Sequence, residues 1–176
     1  MIYVYITRGE GWESRRLLGR ALRDWGAPVR RLEHDPRGKP YVPGGPEISI
    51  SHSDGVVVVA LAKEPVGVDI QRHRPIRENL PRRVLSQSEY DWYAARGCQN
   101  RDFFALWALK ESYYKYLGTG LPGIPNGTEF QRVGEFWSLK EDRSLYVDVW
   151  QSETLSLALC GREEGVTFRG FPESLG

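Results

Sequence analysis

Apolar positions along this chain change their period several times, and each change marks an element. Ile2 to Ile6 is a short β-rich run and predicts a first strand. From Glu13 to Trp25 the apolar positions Leu17, Leu18, Ala21, Leu22 and Trp25 fall on one helical stripe with arginines around it, closed by Gly26 and Pro28. Pro36 to Pro46 is dense in Pro and Gly and reads as loop. Glu47 to Ser51 alternates, Ser53-Asp54-Gly55 reads as a turn, and Val56 to Ala62 is a continuous apolar run, as in a strand buried on both faces. After a turn at Glu64-Pro65, Val66 to Ile70 is the next strand, and the set predicts an antiparallel meander.

The period then lengthens. Pro81 to Ala95 and Arg101 to Leu117 both suit helices, with a break near Gly97. The second is apolar nearly all round from Phe103 to Leu109, as in a buried central helix, and Gly118 and Gly120 end it. From Thr128 onward come short β-rich runs separated by turn residues. Strands, helices and strands in this order predict an α+β fold with antiparallel sheets rather than a parallel one. The two parts have similar sets of elements, so the chain divides into halves at 1–65 and 66–176 within one intimate unit.

Composition narrows the function classes. Of 176 residues, 40% are hydrophobic and 27% charged, and six Trp and nine Tyr supply material for a core, which excludes a wholly disordered chain. Net charge is +1, so no global field draws the chain to nucleic acid or to a membrane. The positive charge is nevertheless clustered, at Arg15, Arg16, Arg20, Arg23, Arg30 and Arg31 and again at Arg72, Arg74, Arg77, Arg82 and Arg83. Such clusters are either solvated helix faces or contacts for a phosphate-rich ligand, whose oxygens match the guanidinium fork. Cys98 and Cys160 are the two cysteines, with no CxxC, which suits a reducing compartment. No charged-then-apolar leader or long apolar run is visible, so the cytoplasm is expected.

Candidate chemistry starts with Asp69, a carboxylate in the otherwise apolar strand Val66-Gly67-Val68-Asp69-Ile70. Strand alternation puts it on one face with Gly67 and Gln71, away from Val68 and Ile70. Buried without a partner it would be costly, so it is either capped or paired with a nearby arginine, or it holds a cation. Glu111 lies in the most apolar helix and shares a face with Trp107 and Lys115 at spacings of four. Glu before Lys at this spacing is also a routine surface pair, but this helix leaves little solvated face. Two acids from separate elements make a site for a hard cation such as Mg²⁺, with Gln71 reaching the same place directly or through a water. His52, at a strand end after Ser51, is either structural or a phosphate contact. His34, His52 and His73 lack zinc spacing, and Gly118-Thr119-Gly120 is too short for a Walker or dinucleotide loop.

These residues resemble a family. Gly67-Val68-Asp69-Ile70, followed further on by Trp107-Ala108-Leu109-Lys110-Glu111-Ser112-Tyr113-Tyr114-Lys115, is similar to the paired signature of the 4'-phosphopantetheinyl transferase superfamily, of the surfactin-synthetase-activating (Sfp) type. Arg15-Arg16-Leu17-Leu18-Gly19, Gly38-Lys39-Pro40, Ile50-Ser51-His52-Ser53 and Leu85-Ser86-Gln87-Ser88-Glu89-Tyr90 fall in the family's order as well. The resemblance implies a pseudo-dimer of two similar α+β halves, monomeric, with coenzyme A bound between them. It implies transfer of 4'-phosphopantetheine from coenzyme A to a serine of an apo acyl or peptidyl carrier protein, releasing 3',5'-ADP. By the same resemblance Asp69 and Glu111 hold Mg²⁺, Lys115 meets the departing phosphate, and Lys39 and His52 meet other phosphates. Ser51 assists, and Arg15 and Arg16 lie near the nucleotide. The proton acceptor it implies is Glu111 or a metal-bound water. Gln71 stands where many relatives carry an acid, so the site has one negative ligand fewer and a water is expected in that place. The lead before Arg15 is shorter than in typical relatives, so by the resemblance the 3'-phosphate contact falls to Arg8, to Arg15 or Arg16, or is missing. The competing readings are a catalytically inactive relative that binds coenzyme A or a carrier, and a Mg²⁺-dependent phosphodiesterase or nuclease, against which the near-neutral charge speaks.

Overall fold

In the computed structural model, which describes residues 1–27, 31–119, 127–170 and 172–175, the chain opens with β1 (Ile2–Arg8), a 3₁₀ turn (Gly11–Glu13) and α1 (Ser14–Trp25). The strands β2 (Glu33–His34) and β3 (Pro40–Tyr41) form a minimal hairpin, followed by β4 (Glu47–Ser53), β5 (Val56–Ala62) and β6 (Val66–Arg72). The helices α2 (Leu80–Val84), α3 (Gln87–Ala95) and α4 (Asn100–Leu117) come next. Then come β7 (Phe130–Val133), β8 (Phe136–Leu139), β9 (Tyr146–Gln151), β10 (Leu155–Gly161) and β11 (Val166–Arg169). Pro28, Gly120 and Arg30 lie outside the described residues. No helix among the described residues is long and apolar enough to cross a membrane.

The strands make two main sheets, β11-β1-β5-β4 and β6-β10-β9, and the hairpins β2-β3 and β7-β8 stand apart. All pairings in the main sheets are antiparallel except that of β11 with β1. The strand sequence β1, hairpin β2-β3, β4, β5 is matched by β6, hairpin β7-β8, β9, β10, with sheet orders β1-β5-β4 and β6-β10-β9, but α1 stands alone where α2, α3 and α4 follow β6, and β11 adds to the first sheet only. The α+β class and the antiparallel pairing read from the sequence are what the structure shows.

Three apolar layers explain the burial pattern. Val57, Val59 and Leu61 of β5 face Leu17, Leu18 and Leu22 of α1, while Val56, Val58 and Ala60 face the other way. That inner layer also takes Val68 and Ile70 of β6 and Leu157 and Leu159 of β10, so the two sheets pack on each other. The outer face of the second sheet, through Ala158, Cys160 and Val147, packs on Phe104, Ala105 and Leu109 of α4. The continuous apolar run of β5 is thus buried on both faces.

Three expectations are corrected. The meander stops at β5, because β5 is already flanked by β1 and β4 and β6 needs another edge; it pairs with β10. The helix read over Pro81 to Ala95 is broken at Leu85, which is extended (ψ 142°), and Ser86 caps α3 in a reciprocal capping box with Glu89. The terminal run β11 returns to the first sheet, beside β1.

Candidate functional site

The site begins with a missing side chain. Gly67 faces α4, and a Cβ there would lie 1.9 Å from the Ser112 carbonyl oxygen and 2.5 Å from the Tyr116 nitrogen. Only glycine lets the α4 backbone rest on β6 at this point. Ser112 and Tyr116 occupy that contact, so Glu111 and Lys115, each one residue earlier on α4, lie beside Asp69, which is on the same face of β6 as Gly67.

Asp69 is buried, at 2% exposure. Its Oδ1 accepts from Lys115 Nζ at 2.7 Å and from Ser51 Oγ at 2.8 Å, and its Oδ2 accepts from Gln71 Nε2 at 2.7 Å. Ser51 Oγ in turn accepts from the Ile70 N–H at 3.3 Å. Glu111 is also buried, and among the described residues no hydrogen bond or ion pair reaches its carboxylate. Burial, and then the negative charge of Asp69, push Glu111 up from 4.5 to about 7, with Lys115 opposing both.

Glu111 and Lys115 line a cleft of about 240 Å³ between the β3–β4 side and α4, and Asp69, bound to Lys115, is not part of its lining. Lys39, Ile48, Ser49 and Ile50 form one wall, and Glu111, Tyr114, Lys115 and Gly118 the other. Lys39 is held by its loop, where the Asp35 carboxylate accepts from the Arg37 and Lys39 N–H groups at 2.8 Å each. Its Nζ meets Glu47 at 3.4 Å. The structure therefore joins Asp69, Lys115, Ser51 and Gln71 in one hydrogen-bonded network, sets Glu111 where the Asp69 and Lys115 charges act on it, and puts Lys39 on the facing wall. His52, Arg15 and Arg16 do not line this cleft. The His52 ring lies against Gly11, whose Cβ would come within 2.9 Å of Cε1. Arg15 borders a groove with Arg31 and His34, and Arg16 a different one with Arg20, Arg23 and Arg169.

The donor set fits a hard cation. Two buried carboxylates lie close enough to interact, one of them without a donor among the described residues, and an oxygen-seeking divalent ion would offset both the burial and the Asp69 charge that raise Glu111. Among the described residues no group of three or more His, Cys, Asp or Glu side chains stands together, so the protein offers two acids here. Gln71 meets Asp69 as a hydrogen-bond donor.

Two features escaped sequence reasoning. One is the space Gly67 vacates. The other is a buried ion pair between Lys110 and Glu89, both side chains at 0% exposure and 2.9 Å apart. Glu89 also accepts from the N–H groups of Phe130 and Ser86, and Lys110 donates to the Thr128 carbonyl, so α4, α3 and β7 are tied on the side away from the Ser112–Gly67 contact. The Ser-x-x-Glu spacing at Ser86 and Glu89 is the signal that could have found this anchor.

With the geometry in hand, comparison with known proteins is informative. The chain is 41% identical over 86 residues to the 4'-phosphopantetheinyl transferase gsp of Aneurinibacillus migulanus, covering 48% of this chain and 36% of that protein. It is 36% identical over 88 residues to the 4'-phosphopantetheinyl transferase Sfp of Bacillus subtilis (strain 168), covering 48% of this chain and 39% of that protein. The match thus spans less than two fifths of the length of these curated relatives. A crystal structure of a holo-(acyl-carrier-protein) synthase from Bacillus anthracis in complex with CoA is 20% identical, with TM-score 0.47, over 55% of this chain and 93% of that one, too distant to inform the site. A family model matches residues 65–160, from the strand that carries Asp69 through the helix that carries Glu111 and Lys115 to β10, and on that match the chain belongs to the 4'-phosphopantetheinyl transferase superfamily.

Proposed function

We propose that the protein transfers 4'-phosphopantetheine from coenzyme A to a serine of an apo acyl or peptidyl carrier protein, with Mg²⁺, releasing 3',5'-ADP. The observation that carries this reading is the two buried carboxylates Asp69 and Glu111, close enough for one to act on the other, with Glu111, Lys115 and Lys39 lining the cleft. Asp69 and Glu111 would hold the metal, with Gln71 adding an oxygen or a water. When bound, Mg²⁺ supplies positive charge to the pyrophosphate oxygens, where negative charge builds as the phosphate leaves.

This chain's own groups do the rest. The carrier serine oxygen forms a bond to the β-phosphorus as the bond from that phosphorus to the bridging oxygen breaks, and the electron pair leaves with 3',5'-ADP. Glu111, whose carboxylate lines the cleft and has no hydrogen-bond donor among the described residues, is this chain's own group to take the serine proton. Lys115, now bound to Asp69, stands where it can turn to the leaving phosphate, and Lys39 approaches from the other wall. Ser51 holds the Asp69 carboxylate in place. His52, Arg15 and Arg16 are assigned to the outlying phosphates and the nucleotide end. The same reading makes the protein a monomer in the cytoplasm, and the free thiols at Cys98 and Cys160 suit such a reducing compartment.

The test is the intact mass of an apo acyl carrier protein after incubation with this protein, coenzyme A and Mg²⁺. The expected result is a gain of one phosphopantetheine arm, lost with EDTA and in Asp69→Asn and Glu111→Gln. Coenzyme A binding without any gain on several carriers would instead indicate an inactive binding relative.

A further inference from the structure

The two sheets meet edge to edge at β4 and β6, yet these strands are not hydrogen-bonded as sheet neighbours. Three serines join them instead. The Val68 N–H donates to Ser49 Oγ at 2.9 Å, the Ile70 N–H to Ser51 Oγ at 3.3 Å and the Arg72 N–H to Ser53 Oγ at 3.0 Å. Arg72 adds a fourth link, from Nε to the Asp54 carbonyl at 2.9 Å.

The pattern has a physical cause. N–H groups of a strand alternate sides, so those of Val68, Ile70 and Arg72 point away from β10, toward β4. Val68 and Ile70 are fully buried, and a buried N–H must find an acceptor. A serine hydroxyl supplies one at the end of a side chain, which holds the strands farther apart than the ~4.8 Å of a backbone ladder. The halves therefore join without fusing, and the cleft lies along this seam. Asp69 sits between the first two rungs, and the middle rung, Ser51, also donates to its carboxylate.

We propose that Ser49 and Ser53, the outer rungs, are positioning residues for the Asp69–Glu111 pair: they set where β6 lies against β4 and so where the metal-binding carboxylate stands. Ser53 lines no part of the cleft, and its effect reaches the site through β6. The inference rests on the reading of Asp69 as a metal ligand.

The test is Mn²⁺ titration followed by electron paramagnetic resonance, with and without coenzyme A, on wild type, Ser49→Ala, Ser53→Ala, Ser53→Thr and Asp69→Asn. Thermal melts and amide exchange at Val68, Ile70 and Arg72 accompany it. Both alanine variants should bind Mn²⁺ about tenfold more weakly, the usual cost of losing a group that orients a ligand. Ser53→Thr, which keeps the hydroxyl, should restore affinity, and exchange should quicken at Arg72 in Ser53→Ala. Alanine variants that melt lower but bind Mn²⁺ as wild type does would overturn the proposal and leave the serines a purely structural seam. Asp69→Asn binding Mn²⁺ like wild type, or wild type binding none in either condition, would instead overturn the metal reading and the proposal with it.

Discussion

At the scale of single residues, the electrostatics of Glu111 make the site sensitive to pH. Its carboxyl is raised from 4.5 to about 7, so the folded protein holds a proton there that the unfolded chain releases near 4.5. Through this group, stability is greatest below the unfolded value and is lost as pH rises through about 7. Metal-free protein should therefore be less stable in urea at pH 8 than at pH 5, by on the order of a few kcal/mol from this residue. Glu111→Gln should flatten that difference, and Mg²⁺ should recover the loss at pH 8 in wild type but not in the variant. Lys115 is the counterweight. Lys115→Met would leave the buried Asp69 carboxylate without its cation, and under the proposed function kcat at saturating Mg²⁺ should fall at least about tenfold with metal binding retained, because Lys115 is the group proposed to turn to the leaving phosphate.

At the scale of elements, the contact of α4 with β6 decides whether the site exists. Gly67→Ala would drive a methyl into the Ser112 carbonyl, so α4 must shift, at a cost of about 3 kcal/mol or more. The expected outcome is a lower midpoint in urea together with loss of metal binding, although neither carboxylate has been changed. The opposite side of α4 is held by Lys110 and Glu89. Lys110→Met would strand a buried carboxylate and should cost about 3–5 kcal/mol by equilibrium unfolding. Adding Glu89→Gln should recover much of the loss, because the amide oxygen can still accept from the Phe130 N–H. Burial lowers the Lys110 amine from its usual value, against the pull of Glu89.

At the scale of the whole molecule, the cleft takes one wall from each half, the β3–β4 side and α4. A ligand bound there should slow amide exchange in both β4 and α4, whereas a ligand on one half alone would protect only one of them. Coenzyme A is expected to give the two-sided pattern by hydrogen–deuterium exchange mass spectrometry. The packing ties the two walls together: α1 covers one sheet, α4 the other, and the sheets share an apolar layer between them.

Much of this could be read before any coordinates. The α+β class followed from apolar periods, because a run such as Val56 to Ala62 can be satisfied only by burial on both faces. Asp69 stood out because a charge inside an apolar strand demands a partner, and Glu111 and Lys115 because a helix apolar all round leaves no solvent for them. Local patterns stop there. That β6 leaves β5 for β10 depends on which sheet edge is free, a property of the assembled sheet. That Gly67 is a contact point depends on the path of a helix far along the chain, and a glycine in a strand looks alike whether it meets backbone or water. The serines at 49, 51 and 53 alternate like any strand with one polar face, and only the approach of a second edge turns them into a seam. Burial pattern and residue chemistry are written locally, whereas the partners that give each polar group its task are set by long-range packing.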